Sequence, residues 1–421
     1  MRAVEFRVGA LRYLLARTLG RVSESATFGV LSGLRLGAYA PPDIPGPGWT
    51  RLKILGCGIC GSDIGNVTYA SSPMMEPFAS FPAILGHEIL AEVESTGRGV
   101  TRVVPGQRVA VDPVLSCGVR GFPADEWCRS CGLGRHGTCE MAGEEGALRI
   151  GSRPLSRGLT IGYHRDLPGG WGERMIAHES QLFPMDPRIP ARLGVLAEPL
   201  SIGVHAVLNG RPDNREDILV IGSGPIAFGT IWALRSTGFA GAIVAQMKRP
   251  HEARLALSLG ATEVVSPGPE ARAALIETGA QAYQPIVGPE VYSAGGFSRI
   301  YDCVGTRSSL DQALRYAAPR GVVILLGCAG QIRNLDLSLV WARELTIRGF
   351  VVYGRERWSG GERHTMEITQ ELLAGTDAPL AEMVTHVFPL SEYRHALAAA
   401  KHHRKSGAIR VVLTPSSAGL A

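Results

Sequence analysis

Apolar and polar residues alternate through the first 200 residues in short runs: WTRLKIL at 49–55, HEILAEVESTG at 87–97 and VVPGQRVAVDP at 103–113, separated by Gly/Pro turns. Period-two alternation between such turns predicts strands with one face buried. Beyond residue 200 the pattern changes. Short, wholly apolar runs (DILVIGSG, GAIVAQM, RIYDCVG, GVVILLGCAG) take turns with stretches of helical period (PIAFGTIWALRSTG, HEARLALSLGA). Strands alternating with helices predict a parallel, doubly wound sheet. After about residue 350 come two more helical stretches, HTMEITQELLAG and SEYRHALAAAKHH, and a final strand, AIRVVLTP. The predicted fold class is α/β: a β-rich domain at 1–200, a nucleotide-binding domain at 201–349, and a return at 350–421 that completes the first. The Pro/Gly-punctuated stretch 267–295 is assigned no element.

Composition changes this picture little. A chain of 421 residues is too long for one ordinary core, and 45% hydrophobic with 19% charged residues describes a globular protein. No apolar run reaches the roughly 18 residues of a membrane helix. Arginines interrupt the N-terminal apolar stretch and no small-residue cleavage site follows it, so the expected location is the cytoplasm. The 43 basic residues against 38 acidic are scattered, and the densest cluster, KHHRK at 401–405, is short, which speaks against nucleic acid as a partner.

Candidate chemistry is concentrated in two places. VIGSGPIAFG sets Gly222, Gly224 and Ala227 at G-x-G-x-x-A between a predicted strand and a predicted helix, a spacing that lets a pyrophosphate approach the helix N-terminus over Pro225 and Ile226. An acid about 20 residues on would grip the ribose 2′-hydroxyl of NAD. Met247 stands there instead, followed by Lys248 and Arg249, which suit the 2′-phosphate of NADP. The second place holds six of the eight cysteines, between positions 57 and 139. Cys117, Cys128, Cys131 and Cys139 in one Gly-rich lobe match a closed tetrahedral zinc site, with Asp125 as an alternative fourth ligand should the long first gap fail to close. Cys60, His87, Glu88 and Glu198 suggest a second, open site of the catalytic kind. Cys57 and Cys60 form a C-x-x-C, but without a thioredoxin-like context Cys57 reads as a small buried residue.

These motifs (GICGSD, GHE, GQRVAVDP, the four-cysteine lobe, GGWGER, EPLSIGVHA, VIGSGPIA and RELTIRG) together resemble, in order, the zinc-dependent medium-chain dehydrogenases, including alcohol, sorbitol, threonine and glucose dehydrogenases. The resemblance implies a GroES-like catalytic domain built from both chain ends around a Rossmann domain, with zinc in the cleft between them and two zincs per chain. It implies that Cys60 and His87 are zinc ligands, Glu198 the third and Glu88 an alternating or water-mediated one. Asp63 would orient His87, and Ser62 would take the substrate hydroxyl proton. Val304, Leu326 and Arg410 would join the cofactor site. Zinc would act as a Lewis acid, with hydride passing to the nicotinamide C4 of NADP and, less readily, NAD. A glutamate in EPLS points to polyol and sugar dehydrogenases, so the expected reaction is oxidation of a secondary alcohol in a small-molecule substrate by a homodimer or homotetramer.

The chain departs from its relatives in three ways. Gly65 stands where many carry a relay histidine, Ala227 replaces the third glycine of the fingerprint, and extra residues lie near 10–30, 66–81, 118–127 and 280–297. Tyr69, Met74, Met75, Phe78 and Phe81 of the second insertion are candidates for an apolar wall over a large substrate. The missing histidine leaves room for another hydride transfer, reduction of a C=C or C=N bond of a biosynthetic intermediate; a zinc- and NADP-binding protein without turnover is an alternative of a different class.

Overall fold

The computed structural model describes residues 1–9, 11–14, 27–29, 32–416 and 420, so most of the insertion near 10–30 lies outside the described residues. The chain divides into two compact units. The first comprises 1–198, 353–355 and 383–421, and the second 199–352 and 356–382.

In the first unit the alternating runs become strands. Trp49–Gly58 pairs antiparallel with Glu88–Thr96, Arg174–His178 and Arg410–Thr414; Arg108–Val111 and Leu182–Pro184 extend the sheet on one side and Val384–Pro389 on the other. The C-terminal strand therefore joins the sheet formed by residues 49–184, and its buried VVL lies beside the buried Leu52 and Ile54 of that sheet. A core around Trp49, Leu52, Ile89, Val111, Trp171 and Leu413 sits behind it. No helix among the described residues is long and apolar enough to cross a membrane.

The second unit holds six parallel strands in spatial order 3-2-1-4-5-6: Glu263–Val265, Ile243–Gln246, Ile218–Ile221, Phe297–Asp302, Ala317–Leu325 and Thr346–Gly349. This is the doubly wound order, in which the first strand reverses direction of winding and leaves a crevice at its carboxyl end. Continuous burial of Ile218–Ile221 and Ile243–Gln246 explains their unbroken apolar runs.

One assignment of the sequence reading changes. Residues 356–382, expected with the catalytic domain, pack in the second unit. Helix Thr365–Ala374 buries Met366, Ile368 and Leu373, and Thr369 Oγ1 meets Ser201 Oγ at 2.9 Å. Glu356 reaches His205 and accepts from Asn209 Nδ2 at 2.6 Å. The unassigned 267–295 forms helix Pro269–Glu277 and a hairpin, Gln281–Tyr283 with Val291–Ser293.

Candidate active site

Cys60 caps the helix Gly61–Val67, and Asp63, at the third helical position, accepts the Cys60 backbone N–H through Oδ2 at 2.9 Å. This capping bond is a local consequence of C-G-S-D and fixes the backbone that carries the thiol. The other carboxylate oxygen faces inward: Oδ1 lies 3.5 Å from His87 Nδ1 and 2.8 Å from the Tyr163 hydroxyl. Asp63 has no exposed surface, so one buried carboxylate ties together the loop of Cys60 and the ring of His87. Burial alone would push the His87 imidazole down, but Asp63 and Cys60 hold it well above the usual histidine range.

Glu88 begins the strand next to His87. The ligating atoms of Cys60, His87 and Glu88 all lie within 4.8 Å of one another. Gly58 is the reason Glu88 fits: a Cβ there would sit 2.0 Å from Glu88 Oε2. Glu198 does not belong to that converging trio. It stands close enough to feel it, because burial first and then the Glu88 charge push its carboxyl up to about 8, while His87 and Arg410 pull the other way. Its Oε1 receives the Tyr353 hydroxyl at 3.4 Å and its Oε2 is buried without a hydrogen-bond partner. A thiol, an imidazole and carboxylates, one with an orphaned oxygen, suit a zinc ion with an open position.

The lobe closes on itself. The sulfurs of Cys117, Cys128, Cys131 and Cys139 lie within 4.8 Å of one another, and Cys117 Sγ is 3.8 Å from Cys139 Sγ. The long gap is spanned by a side loop in which Phe122 N–H donates to the Cys117 carbonyl and Trp127 Nε1 to the Phe122 carbonyl, each at 3.0 Å. Asp125 is exposed on that loop, apart from the cluster. Backbone N–H groups of residues 117, 128 and 131 point at cluster sulfurs at 3.4 Å each. The Cys139 thiol is pulled down to about 6, first by its bond to Cys131, whose own thiol moves up. Four sulfurs this close together, three of them receiving backbone N–H bonds, are suited to tetrathiolate zinc.

In the second unit, Gly222 has φ +128°, and a Cβ there would press on Val304 Cγ2 at 3.0 Å. Gly224 caps helix Pro225–Ser236 with open space where its side chain would be, and Ala227 is fully buried against the sheet. The fingerprint thus leaves room for a pyrophosphate at the helix N-terminus. Leu326 is buried while Val304 is 41% exposed beside the turn. At the second strand's end Met247 is buried and Lys248 exposed. Arg249 differs from expectation: its guanidinium is held by the fully buried Glu252, with Nε 2.8 Å from Oε1. Arg410 differs as well. It lies in the first unit, its Nη1 2.7 Å from Glu88 Oε2 and donating to the Ile59 carbonyl at 2.7 Å. A buried cation is thereby committed to a buried carboxylate, and the motif reading, which took Arg410 for the cofactor, had no sign of that pairing.

Three residues escaped the sequence reading. Tyr163 Oη is 2.9 Å from Ser62 Oγ and its ring centroid 5.3 Å from that of His87; Tyr353 meets Glu198; and Asp112 is buried near enough to raise both the Glu198 carboxyl and the Tyr353 hydroxyl. Tyr163 and Tyr353 lie outside the motifs, Asp112 closes GQRVAVDP without having been singled out there, and YH after a Gly-rich turn was the one available signal at 163. Cys57 is fully buried, and Gly170 presents its backbone so closely that a Cβ there would meet Cys57 Sγ at 2.6 Å.

Comparison with known proteins gives two family matches: "Alcohol dehydrogenase GroES-like domain" over residues 46–187 and "Zinc-binding dehydrogenase" over 225–365. An L-threonine 3-dehydrogenase of Caldanaerobacter subterraneus is 28% identical, covering 84% of this chain and 88% of its own. An L-idonate 5-dehydrogenase of Vitis vinifera is 26% identical, covering 85% and 86%. The solved galactitol-1-phosphate dehydrogenase of Escherichia coli superposes with a TM-score of 0.70 at 20% identity, covering 99% of this chain and 100% of that one, a likeness of fold.

Proposed function

From the premise that this chain belongs to the zinc-dependent medium-chain dehydrogenase/reductase family, we propose that it transfers hydride between NADP(H) and a secondary alcohol or ketone of a polyol, sugar or similar hydroxylated compound. The observation that carries the reading is the convergence of Cys60, His87 and Glu88, with Ser62 in the same turn and buried Glu198 beside them. A protein that only binds dinucleotide has no need of that donor set.

Cys60, His87, Glu88 and Glu198 would hold zinc, which supplies Lewis acidity toward a hydroxyl oxygen when bound. Ser62 takes the proton that leaves that hydroxyl as it gives up its own along its hydrogen bond. Asp63 keeps Cys60 and His87 in place through its two oxygens, and Arg410 pairs with Glu88, its Nη1 2.7 Å from Oε2. The four-cysteine lobe would hold a second zinc, with Cys117 rather than Asp125 completing it. Gly222, Gly224 and Ala227 receive the pyrophosphate.

NADP over NAD is supported by the absence of an acid at 247 and by the exposed Lys248, which is the cation for the 2′-phosphate once Arg249 is held by Glu252. A Lys248→Glu, Arg249→Glu variant is expected to lose NADP affinity by at least ~10-fold and to keep NAD affinity. Retained NADP affinity, read by fluorescence titration, would count against this preference.

A further inference from the structure

We propose that Tyr163 is the positioning residue for Ser62, setting the direction of its hydroxyl in a chain whose histidine-free position 65 offers no other support. The inference rests on the oxidoreductase reading above, and two sets of contacts carry it.

The first concerns the insertion 66–81. Its chain folds back at once: the Gly65 carbonyl accepts from Ala70 N–H at 2.7 Å and Ser71 N–H at 3.1 Å. A Cβ on residue 65 would lie 2.8 Å from Ser71 Oγ. The insertion therefore sets the Ser71 hydroxyl in the direction a side chain at 65 would take, and a larger residue there requires that hydroxyl to turn aside.

The second concerns the far end of the same insertion, which is fastened to 157–165. Arg157 pairs with Glu76 at 2.7 Å, and Leu159 N–H donates to the Phe78 carbonyl at 2.9 Å. Ser80 N–H donates to the Tyr163 carbonyl at 2.9 Å, Arg165 N–H donates to Ser80 Oγ at 3.0 Å, and Arg165 Nε donates to the Phe81 carbonyl at 2.9 Å. These bonds bracket Tyr163 on both sides. The segment that folds back against position 65 thus also holds the phenol 2.9 Å from Ser62 Oγ and 2.8 Å from Asp63 Oδ1.

One phenol proton serves one of those two acceptors. Asp63 is fully buried and, as a carboxylate, only accepts; its Oδ2 is already taken by Cys60 N–H. The charged oxygen is the stronger acceptor, so the Tyr163 proton belongs to Asp63 Oδ1. Ser62 then donates its own proton to Tyr163 Oη, and its lone pairs are left for the substrate hydroxyl. Without the phenol the Ser62 hydroxyl turns toward Asp63 or solvent, and proton acceptance loses its orientation.

The test compares wild type, Tyr163→Phe, Ser62→Ala and the double variant on one alcohol that the wild type oxidises, following kcat, KM and zinc content. Tyr163→Phe is expected to lower kcat about 10-fold, the worth of one hydrogen bond to a charged or reacting group, with KM and zinc unchanged. In the Ser62→Ala background it is expected to add nothing, because its effect passes through Ser62. Unchanged kcat in Tyr163→Phe overturns the inference. So do losses that multiply in the double variant, or a zinc loss matching the activity loss, since both make Tyr163 a prop for Asp63 and His87. A fully zinc-loaded wild type that turns over no alcohol overturns the oxidoreductase reading, and this inference with it.

Discussion

Cys57 and Cys60, three residues apart, end in opposite situations. Cys57 is a core atom, its thiol pushed well up by burial first, whereas Cys60 faces His87 and Glu88. Cys57→Ala is accordingly expected to keep both zincs and at least half the activity, and Cys60→Ala to lose one zinc and all turnover; metal analysis alongside an initial-rate assay checks both. Gly58→Ala is expected to act almost as strongly as Cys60→Ala on the open site, since its Cβ takes the place of Glu88 Oε2. His164 supplies a pH signature of stability. Burial pushes its imidazole down to about 4 from an ordinary 6.5, with Nε2 2.8 Å from the Ser156 carbonyl and Nδ1 accepting from Asp166 N–H. A group with a depressed folded pKa contributes stability in full above 6.5 and loses it as pH falls toward 4, a window worth up to about 3 kcal/mol. Thermal scans between pH 7 and 4.5 should show wild-type Tm falling further than that of His164→Gln; parallel falls would remove His164 as the cause. At this scale the clustering of the four lobe cysteines was legible in their short spacing, whereas Cys60 and His87 were singled out by the resemblance of their motifs and not by spacing. Tyr163 was not, because its role arises from a contact across 100 residues that no local pattern encodes.

Periodicity located the elements but could not say which core each one joins. Helix Thr365–Ala374 has its apolar stripe in the sequence, yet only the Ser201–Thr369 and His205–Glu356 contacts assign it to the second unit. The insertion 66–81 shows the same limit. Of its five candidate wall residues, Tyr69 and Phe81 pack on Phe6 with centroids 5.7 Å away, while Met74, Met75 and Phe78 are 80%, 51% and 40% exposed. Apolar content alone did not separate packing from surface. Close packing of elements does yield a prediction: helix Ala197–Asn209 meets helix Pro225–Ser236 backbone to backbone, a Cβ on Gly203 falling 2.7 Å from the Gly229 carbonyl carbon. Gly203→Val is expected to cost about 1–3 kcal/mol through forced separation of the helices. Chemical denaturation should show it as a lower midpoint, and an unchanged midpoint would mean the helices have slack.

As a whole the molecule is two units with separate cores, one holding the candidate metal ligands and the other the nucleotide fingerprint. The division was legible because the two halves use different hydrophobic periods. The domain crossing of 356–382 and the commitment of Arg410 to Glu88 were not, being settled by tertiary contacts. The proposed activity is zinc-dependent hydride transfer from a secondary alcohol, with NADP preferred. The most direct measurement follows nicotinamide absorbance with zinc-loaded wild type and Cys60→Ala over a panel of secondary alcohols, polyols and sugars, each with NADP and NAD in parallel. Wild type is expected to turn over, faster with NADP, and Cys60→Ala not at all. No turnover by wild type carrying two zincs, or equal turnover by Cys60→Ala, would contradict the proposed activity.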